Sequence, residues 1–265
     1  MTATVSVSEL QRAWAAVAEG EFRLDRTTRR LAGSPSMRWK PEEDVVVVAG
    51  AAGRVGATTT ALAIATACRQ ESRVIECAPM HASGLANATS AELGVTTSGW
   101  RRGSRDHVLI ERVTATLAGP SEVPLPTVTD RTVTVLDVGW DLTTALADDS
   151  WLASTVFSAP LVLVTTATVP GLRALDHALH LAAGSGTVWC VITGLNPKRW
   201  PKPVQVSITP AIDAVIDEGR LITTPHSEGI SVTGLTPDPL PPELMAACQP
   251  ILEQMREATK GKGSS

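Results

Sequence analysis

A continuously apolar run, and not an alternating one, marks the first strand of this chain. Val45-Val-Val-Val-Ala49 is apolar at every position, the pattern of a parallel strand buried on both faces. A turn rich in glycine and alanine follows, and then a helix is predicted over residues 58–70. Further strand candidates lie at 73–77, 133–137, 161–165 and 187–193, with helices at 143–154 and 170–183 between them. Strands alternating with helices imply βαβ units and a mostly parallel, doubly wound α/β sheet flanked by helices. A last helix is predicted from 242 to 258, entered through Pro241-Pro242, with Pro250 kinking it. It sets Leu244, Ala247, Cys248, Ile251, Leu252 and Met255 on one face.

The flanks read differently. Residues 1–41 form an arm, in which Ser8 caps a helix that ends at Gly20 and places Leu10, Trp14, Val17 and Ala18 on one side. The rest of the arm carries Arg23, Arg26, Arg29, Arg30, Arg38 and Lys40 with little periodicity, as in a basic linker. Residues 42–258 form the main domain, within which 98–130 looks irregular, and 259–265 is expected to be a disordered tail.

Composition narrows the classes. The 265 residues are 43% hydrophobic and 19% charged, enough for one well-buried domain, and no run reaches the ~18–20 apolar residues of a membrane span. The first ten residues contain no basic flank leading into an apolar stretch, so no secretory signal is expected. A net charge of −4 argues against a generic nucleic-acid coat, while leaving room for a local basic patch. Cys68, Cys77, Cys190 and Cys248 are scattered, which suits small buried residues in a reducing, cytoplasmic setting. Only five of the 23 basic residues are lysines.

The candidate chemistry lies after the first strand. Gly50-Ala-Ala-Gly53-Arg54-Val55-Gly56-Ala57-Thr58-Thr59-Thr60 runs from a strand through a glycine-rich turn into a helix that opens on threonines. This is the arrangement of a phosphate-binding loop, in which backbone amides and a helix N-terminus meet an anion. The working form is GxxxxGK[ST], with a lysine on the phosphates and a hydroxyl on Mg²⁺. Thr58 keeps the hydroxyl and Gly56 the second glycine, but the lysine position is Ala57 and the first glycine is Ala51.

This stretch resembles the deviant Walker A motif of the ParA/MinD ATPases, KGGVGKTT, and the resemblance extends over about residues 44–255. Val74-Ile-Glu-Cys-Ala-Pro79 is similar to the family's strand ending in DxDP, with Ser83-Gly-Leu85 just beyond it. Val133-Thr-Val-Leu-Asp137 stands in place of the Walker B strand. The stretch from Ala159 to Leu175 resembles the strand and helix that follow. The resemblance implies a P-loop fold, ATP or ADP with Mg²⁺ as ligand, and a nucleotide site at Gly53, Arg54, Val55, Gly56, Ala57, Thr58 and Thr59. Asn196 and Pro225 fall where the family contacts the base, with Thr193 an equal alternative to Asn196. Thr58 and Asp137 are the implied Mg²⁺ partners.

The departures from the family concern chemistry. Its signature lysine falls on Ala52, its P-loop lysine on Ala57 and its water-orienting acid on Ala78, while Glu76 replaces the first acid of DxD. Phosphoryl transfer depends on positioning and charge stabilisation, and losing one such group typically costs ~3–4 kcal/mol. The expectation is therefore a pseudo-ATPase, a cytoplasmic adaptor or positioning factor of the kind used in DNA partition, mobile-element transfer or secretion and pilus machinery. Its ligand is Mg²⁺ with ATP or ADP, or none. A protein partner is expected through the arm, with a homodimer and non-specific DNA as further partners, and without membrane insertion. Two other readings stay open: an active ATPase with relocated cations such as Arg54, and a DNA-binding accessory protein using the basic arm.

Lesser candidates have plainer readings. Lys198, Arg199 and Lys202 around Trp200, and Arg101, Arg102 and Arg105 beside Trp100, form basic-aromatic clusters suited to DNA or partner contact, or to solvated loops. His177 and His180 have metal-ligand spacing but no third ligand, and His81 lies near the phosphate loop.

Overall fold

The computed structural model describes residues 38–262, with side chains described as far as Met255. The expected helix at 8–20, the arginines 23, 26, 29 and 30, and the last three residues lie outside the described part.

The chain begins with β1 (Asp44–Gly50), α1 (Ala57–Ala67) and β2 (Ser72–Glu76). Next come β3 (Ala91–Val95), β4 (Trp100–Arg105), β5 (Val108–Val113) and β6 (Val133–Asp137). The second half contains α2 (Leu142–Ala145), α3 (Trp151–Ser158), β7 (Leu161–Thr166), α4 (Val169–Leu181) and β8 (Val188–Thr193). It ends with α5 (Lys202–Gln205), α6 (Pro210–Asp217), β9 (Leu221–Thr224), α7 (Glu228–Thr233), α8 (Pro242–Ala247) and α9 (Gln249–Lys262). The strands form one nine-stranded sheet in the order β3-β4-β5-β2-β6-β1-β7-β8-β9. All neighbours run parallel except β3–β4 and β4–β5, which are antiparallel. This is the expected α/β architecture.

The continuous apolar runs are explained by burial on both faces. In β1, Val45, Val47 and Ala49 enter one core layer with α3, α4 and α6, while Val46 and Val48 enter the other with α1, α8 and α9. Leu244, Cys248, Ile251, Leu252 and Met255 are buried in that second layer, so the last apolar face packs on the sheet. Among the described residues no helix is long and apolar enough to cross a membrane.

Three expectations are corrected. Residues 98–130 contain β4 and β5, and β3 precedes them at the sheet edge. The arginines that interrupt the apolar positions of this hairpin are tolerated because they are paired. Arg102 Nε donates to Glu111 Oε1 at 2.8 Å, Arg112 pairs with Glu92 at 2.6 Å, and Arg105 donates to the carbonyls of Thr236 and Asp238. The helix expected at 143–154 is divided into α2 and α3, because the Ser150 side chain accepts the Ala153 amide and caps a new start. The last helix is likewise divided at Cys248, with Pro250 in the first turn of α9 where its missing N–H is harmless.

Near the N-terminal ends of the strands, Arg73 is fully buried between Glu43 (2.5 Å) and Glu111 (3.0 Å), and its Nε donates to Thr134 Oγ1 at 2.7 Å. A buried charge is tolerable when paired and hydrogen-bonded in this way. That network leaves the opposite, C-terminal ends of the strands to the candidate site.

Candidate functional site

The loop from Gly50 to Gly56 leaves the end of β1, between β6 and β7, and enters α1. Its path is tight. The Ala51 amide donates to Val164 O at 2.8 Å, and a Cβ on Gly50 would lie 2.8 Å from Ala52 O. Gly56 caps α1 at φ 94°, a conformation that favours glycine. Thr60 returns its amide and its hydroxyl to Gly56 O, each at 2.9 Å. The far side is tied to β8, where Thr193 Oγ1 donates to Val55 O at 3.2 Å. Arg54 is exposed and holds φ 60°, an uncommon choice for a non-glycine residue.

This scaffold leaves a row of donors unused. Among the described residues, the amides of Ala52, Gly53, Arg54, Val55 and Gly56 donate to no protein acceptor. The amides at the start of α1 have no intrahelical acceptor by geometry, and the helix dipole adds about half a positive charge there. The local chemistry is that of an anion cradle.

Beside the cradle stands a pair of buried acids. Asp137 ends β6 and Glu76 ends β2 in paired register, so both carboxylates emerge together. Asp137 is fully buried beside Thr58. Burial, with the Glu76 charge second, pushes its carboxyl up to about 7. The Thr58 hydroxyl and the Gly139 amide offset part of this, yet neither reaches close hydrogen-bond geometry, so both Asp137 oxygens lack a close partner. Such a group, buried beside the Thr58 hydroxyl at the start of α1, has the chemistry of a ligand for a divalent cation. Glu76 is also buried, and burial raises its carboxyl above the usual range. Donors from Ser83, Gly84 and Leu85 and the charge of Arg112 work against that.

The position matched to the water-orienting acid is closed. Ala78 is 5% exposed, and a Cβ on Gly139 (φ 66°) would lie 2.6 Å from Ala78 Cβ. Trp140 Nε1 donates to Cys77 O at 2.8 Å and fixes the strand end beneath.

The two base-side candidates come from adjacent strand ends. Asn196 and Pro225 are both exposed just after β8 and β9, which are joined there by Gly194 N to Thr224 O at 2.9 Å. Asn196 Oδ1 accepts the Lys198 amide at 3.1 Å, capping a single turn over Pro197–Arg199. Lys198, Arg199 and Lys202 are exposed. The aromatic half of each basic cluster is absent from the surface: Trp200 donates to Leu195 O and Trp100 to Leu125 O, and both rings are buried. His81, His177 and His180 are exposed, and His180 Nδ1 lies 2.8 Å from Asp176 O. Among the described residues no group of three His, Cys, Asp or Glu is arranged to hold a metal.

Sequence reasoning missed the bonds that tie Glu76 to residues 83–85. Ser83-Gly-Leu85 was visible as a motif, but nothing in a linear reading aims it at Glu76.

No protein-family model matches the sequence, and no curated protein matches it as a relative. Solved structures do. A plasmid partition protein from Borrelia burgdorferi B31 bound to AMPPNP has 12% identity, with 83% of this chain and 100% of that chain covered and a TM-score of 0.51. An McdA variant from Cyanothece in complex with ATP has 12% identity, 82% and 98% coverage and a TM-score of 0.53. The MinC:MinD complex from Aquifex aeolicus stands lower, with 13% identity, 79% and 96% coverage and a TM-score of 0.47. At these identities the likeness is one of fold: a ParA/MinD-like α/β architecture over about four-fifths of the chain.

Proposed function

We propose that this chain binds a magnesium nucleotide in the loop between β1 and α1 and does not turn it over, serving as a ParA/MinD-like adaptor or positioning factor. The carrying observation is the juxtaposition of unpaired loop amides from Ala52 to Gly56 with a buried, unpartnered Asp137 against Thr58. Amides and a helix N-terminus suit phosphate oxygens. Thr58 and Asp137 would hold Mg²⁺, which when bound neutralises phosphate charge. Gly53 to Thr59 form the phosphate side, while Asn196 and Pro225 edge the base side. The ATP and AMPPNP found with the two structural relatives support this ligand class.

Turnover is another matter. Two cations that the family places at 52 and 57 are alanines here. At ~3–4 kcal/mol for each lost electrostatic group, the pair would slow the transfer by at least ~10⁴-fold. The buried Ala78 provides no base to orient water. Arg54 is the one cation within the loop, but it sits three residues before position 57. Binding without hydrolysis leaves a ligand-stabilised state for a partner to read. The arm at 1–41, with Arg23, Arg26, Arg29 and Arg30, is the proposed partner contact.

The test is a fluorescent ADP analogue titrated with Mg²⁺ into the wild type and into Thr58→Ala, alongside a phosphate-release assay with ATP. Binding that Thr58→Ala weakens, with no release above background, is expected. Release that Thr58→Ala abolishes would establish an ATPase instead.

A further inference from the structure

Glu76 stands where the resembling family has an aspartate, and its extra length is used. Its carboxylate takes three donors from one short segment: Ser83 Oγ at 2.5 Å, Gly84 N at 2.6 Å and Leu85 N at 3.1 Å. The segment is anchored on one side by buried Pro79 and the single turn Met80–Ala82, and on the other by fully buried Leu85. The bonds draw Gly84 onto Thr58. A Cβ on Gly84 would lie 2.9 Å from Thr58 Cγ2 and 3.3 Å from Thr58 Oγ1. The Gly84 backbone therefore lies over the hydroxyl beside the unpartnered Asp137.

We infer that Glu76 is a positioning residue, a latch that holds residues 83–85 closed over Thr58 and thereby gates entry of the magnesium nucleotide. What is gated rests on the function proposed above; the latch itself does not. Between the buried anchors Pro79 and Leu85 the segment is mostly exposed, with Met80 58% accessible, so the three donors on the Glu76 carboxylate hold it down. Opening lifts Ser83, Gly84 and the Leu85 amide off Glu76 and frees Thr58, while the Leu85 side chain, buried in the same core layer as Val46, Val48 and α1, stays in place as the hinge.

The experiment follows hydrogen exchange at the Gly84 and Leu85 amides and stopped-flow association of a fluorescent ADP analogue with Mg²⁺. It uses the full chain as wild type, Glu76→Ala, Glu76→Gln and Gly84→Ala. Glu76→Ala is expected to speed exchange at both amides by about tenfold or more and to speed association, with β1 and α1 unchanged. Glu76→Gln keeps the oxygen that accepts both amides, so its exchange stays within about twofold of wild type. Gly84→Ala leaves Glu76 intact and is free of left-handed strain, yet its methyl wedges against Thr58, so it mimics Glu76→Ala. It also serves if Glu76→Ala does not fold.

Gly84 and Leu85 amides as protected in Glu76→Ala and Gly84→Ala as in wild type would overturn the latch. So would Glu76→Gln opening as far as Glu76→Ala, which would assign the effect to charge. Faster exchange with unchanged association overturns the gating alone. Absence of nucleotide binding in every protein overturns the gating together with the proposed function, whatever the exchange reports.

Discussion

Replacing Asp137 with asparagine should make the ligand-free protein more stable at pH 8 and no more stable at pH 4.5. Asp137 is buried with no close partner for either oxygen, and its carboxyl is raised from 3.8 to about 7. A shift of about three units corresponds to roughly 4 kcal/mol between the charged and neutral forms. The sign follows from proton counting. Between about pH 4 and pH 7 the folded state holds a proton that the unfolded state has released, so stability falls as pH rises through that window. Above it, the whole cost of an ionised, buried carboxylate is borne. Asparagine cannot ionise, but its amide group leaves buried donors unsatisfied at a cost of ~1–3 kcal/mol. The balance is a gain of about 1–3 kcal/mol at pH 8 and a loss of about 1 kcal/mol or more at pH 4.5. Urea unfolding followed by tryptophan fluorescence, without Mg²⁺, measures both. A variant that is equally destabilised at the two pH values would show that the Asp137 carboxylate is held by partners in the folded state. The argument for a cation-seeking acid would then be wrong.

Three further perturbations follow from the same structure. Glu111→Gln leaves Arg73 and Arg102 without a shared buried partner and should cost about 3–5 kcal/mol in chemical denaturation; a cost below 1 kcal/mol would contradict the network. Arg54→Gly relieves a left-handed φ of 60° and should raise stability by about 0.5–1 kcal/mol, after glycine's own entropy, in thermal unfolding; a loss would mean that the arginine side chain is holding the loop. Ala57→Lys restores a cation at the start of α1 and should tighten magnesium nucleotide by about tenfold in titration; no gain would mean that the loop amides do not face phosphate.

The architecture was legible because its signal is a simple one. Val45–Ala49 and Leu161–Val164 are apolar throughout, and Val133–Leu136 is broken only by Thr134; only a strand buried on both faces needs that. The hairpin of β4 and β5 was invisible for the opposite reason. Between its buried Trp100, Val108, Ile110 and Val113 it carries arginines whose partners, Glu92, Glu111 and the Asp238 carbonyl, are distant in sequence or unreadable as partners. The breaks at Ser150 and Cys248 hinge on local capping and on one proline, which shift boundaries without changing periodicity. At the site, the glycines and threonines of the loop were readable, since their spacing carries a backbone requirement. The burial of Ala78 beneath Gly139 and the bonds from residues 83–85 to Glu76 were not, because each depends on the close approach of separate strands. The basic-aromatic clusters illustrate the converse: Trp100 and Trp200 look like recognition residues in sequence and are core residues in space.

The central claim, a nucleotide ligand held without turnover, is most directly tested by calorimetric titration of the full chain with ADP and with ATP, each with and without Mg²⁺. The account predicts micromolar binding that requires Mg²⁺, weakens as pH falls below about 7 with protonation of Asp137, and shows no slow heat of hydrolysis with ATP. The absence of any heat at millimolar nucleotide, with Mg²⁺ present at pH 8, would contradict it and leave the loop as a tight strand-to-helix connector.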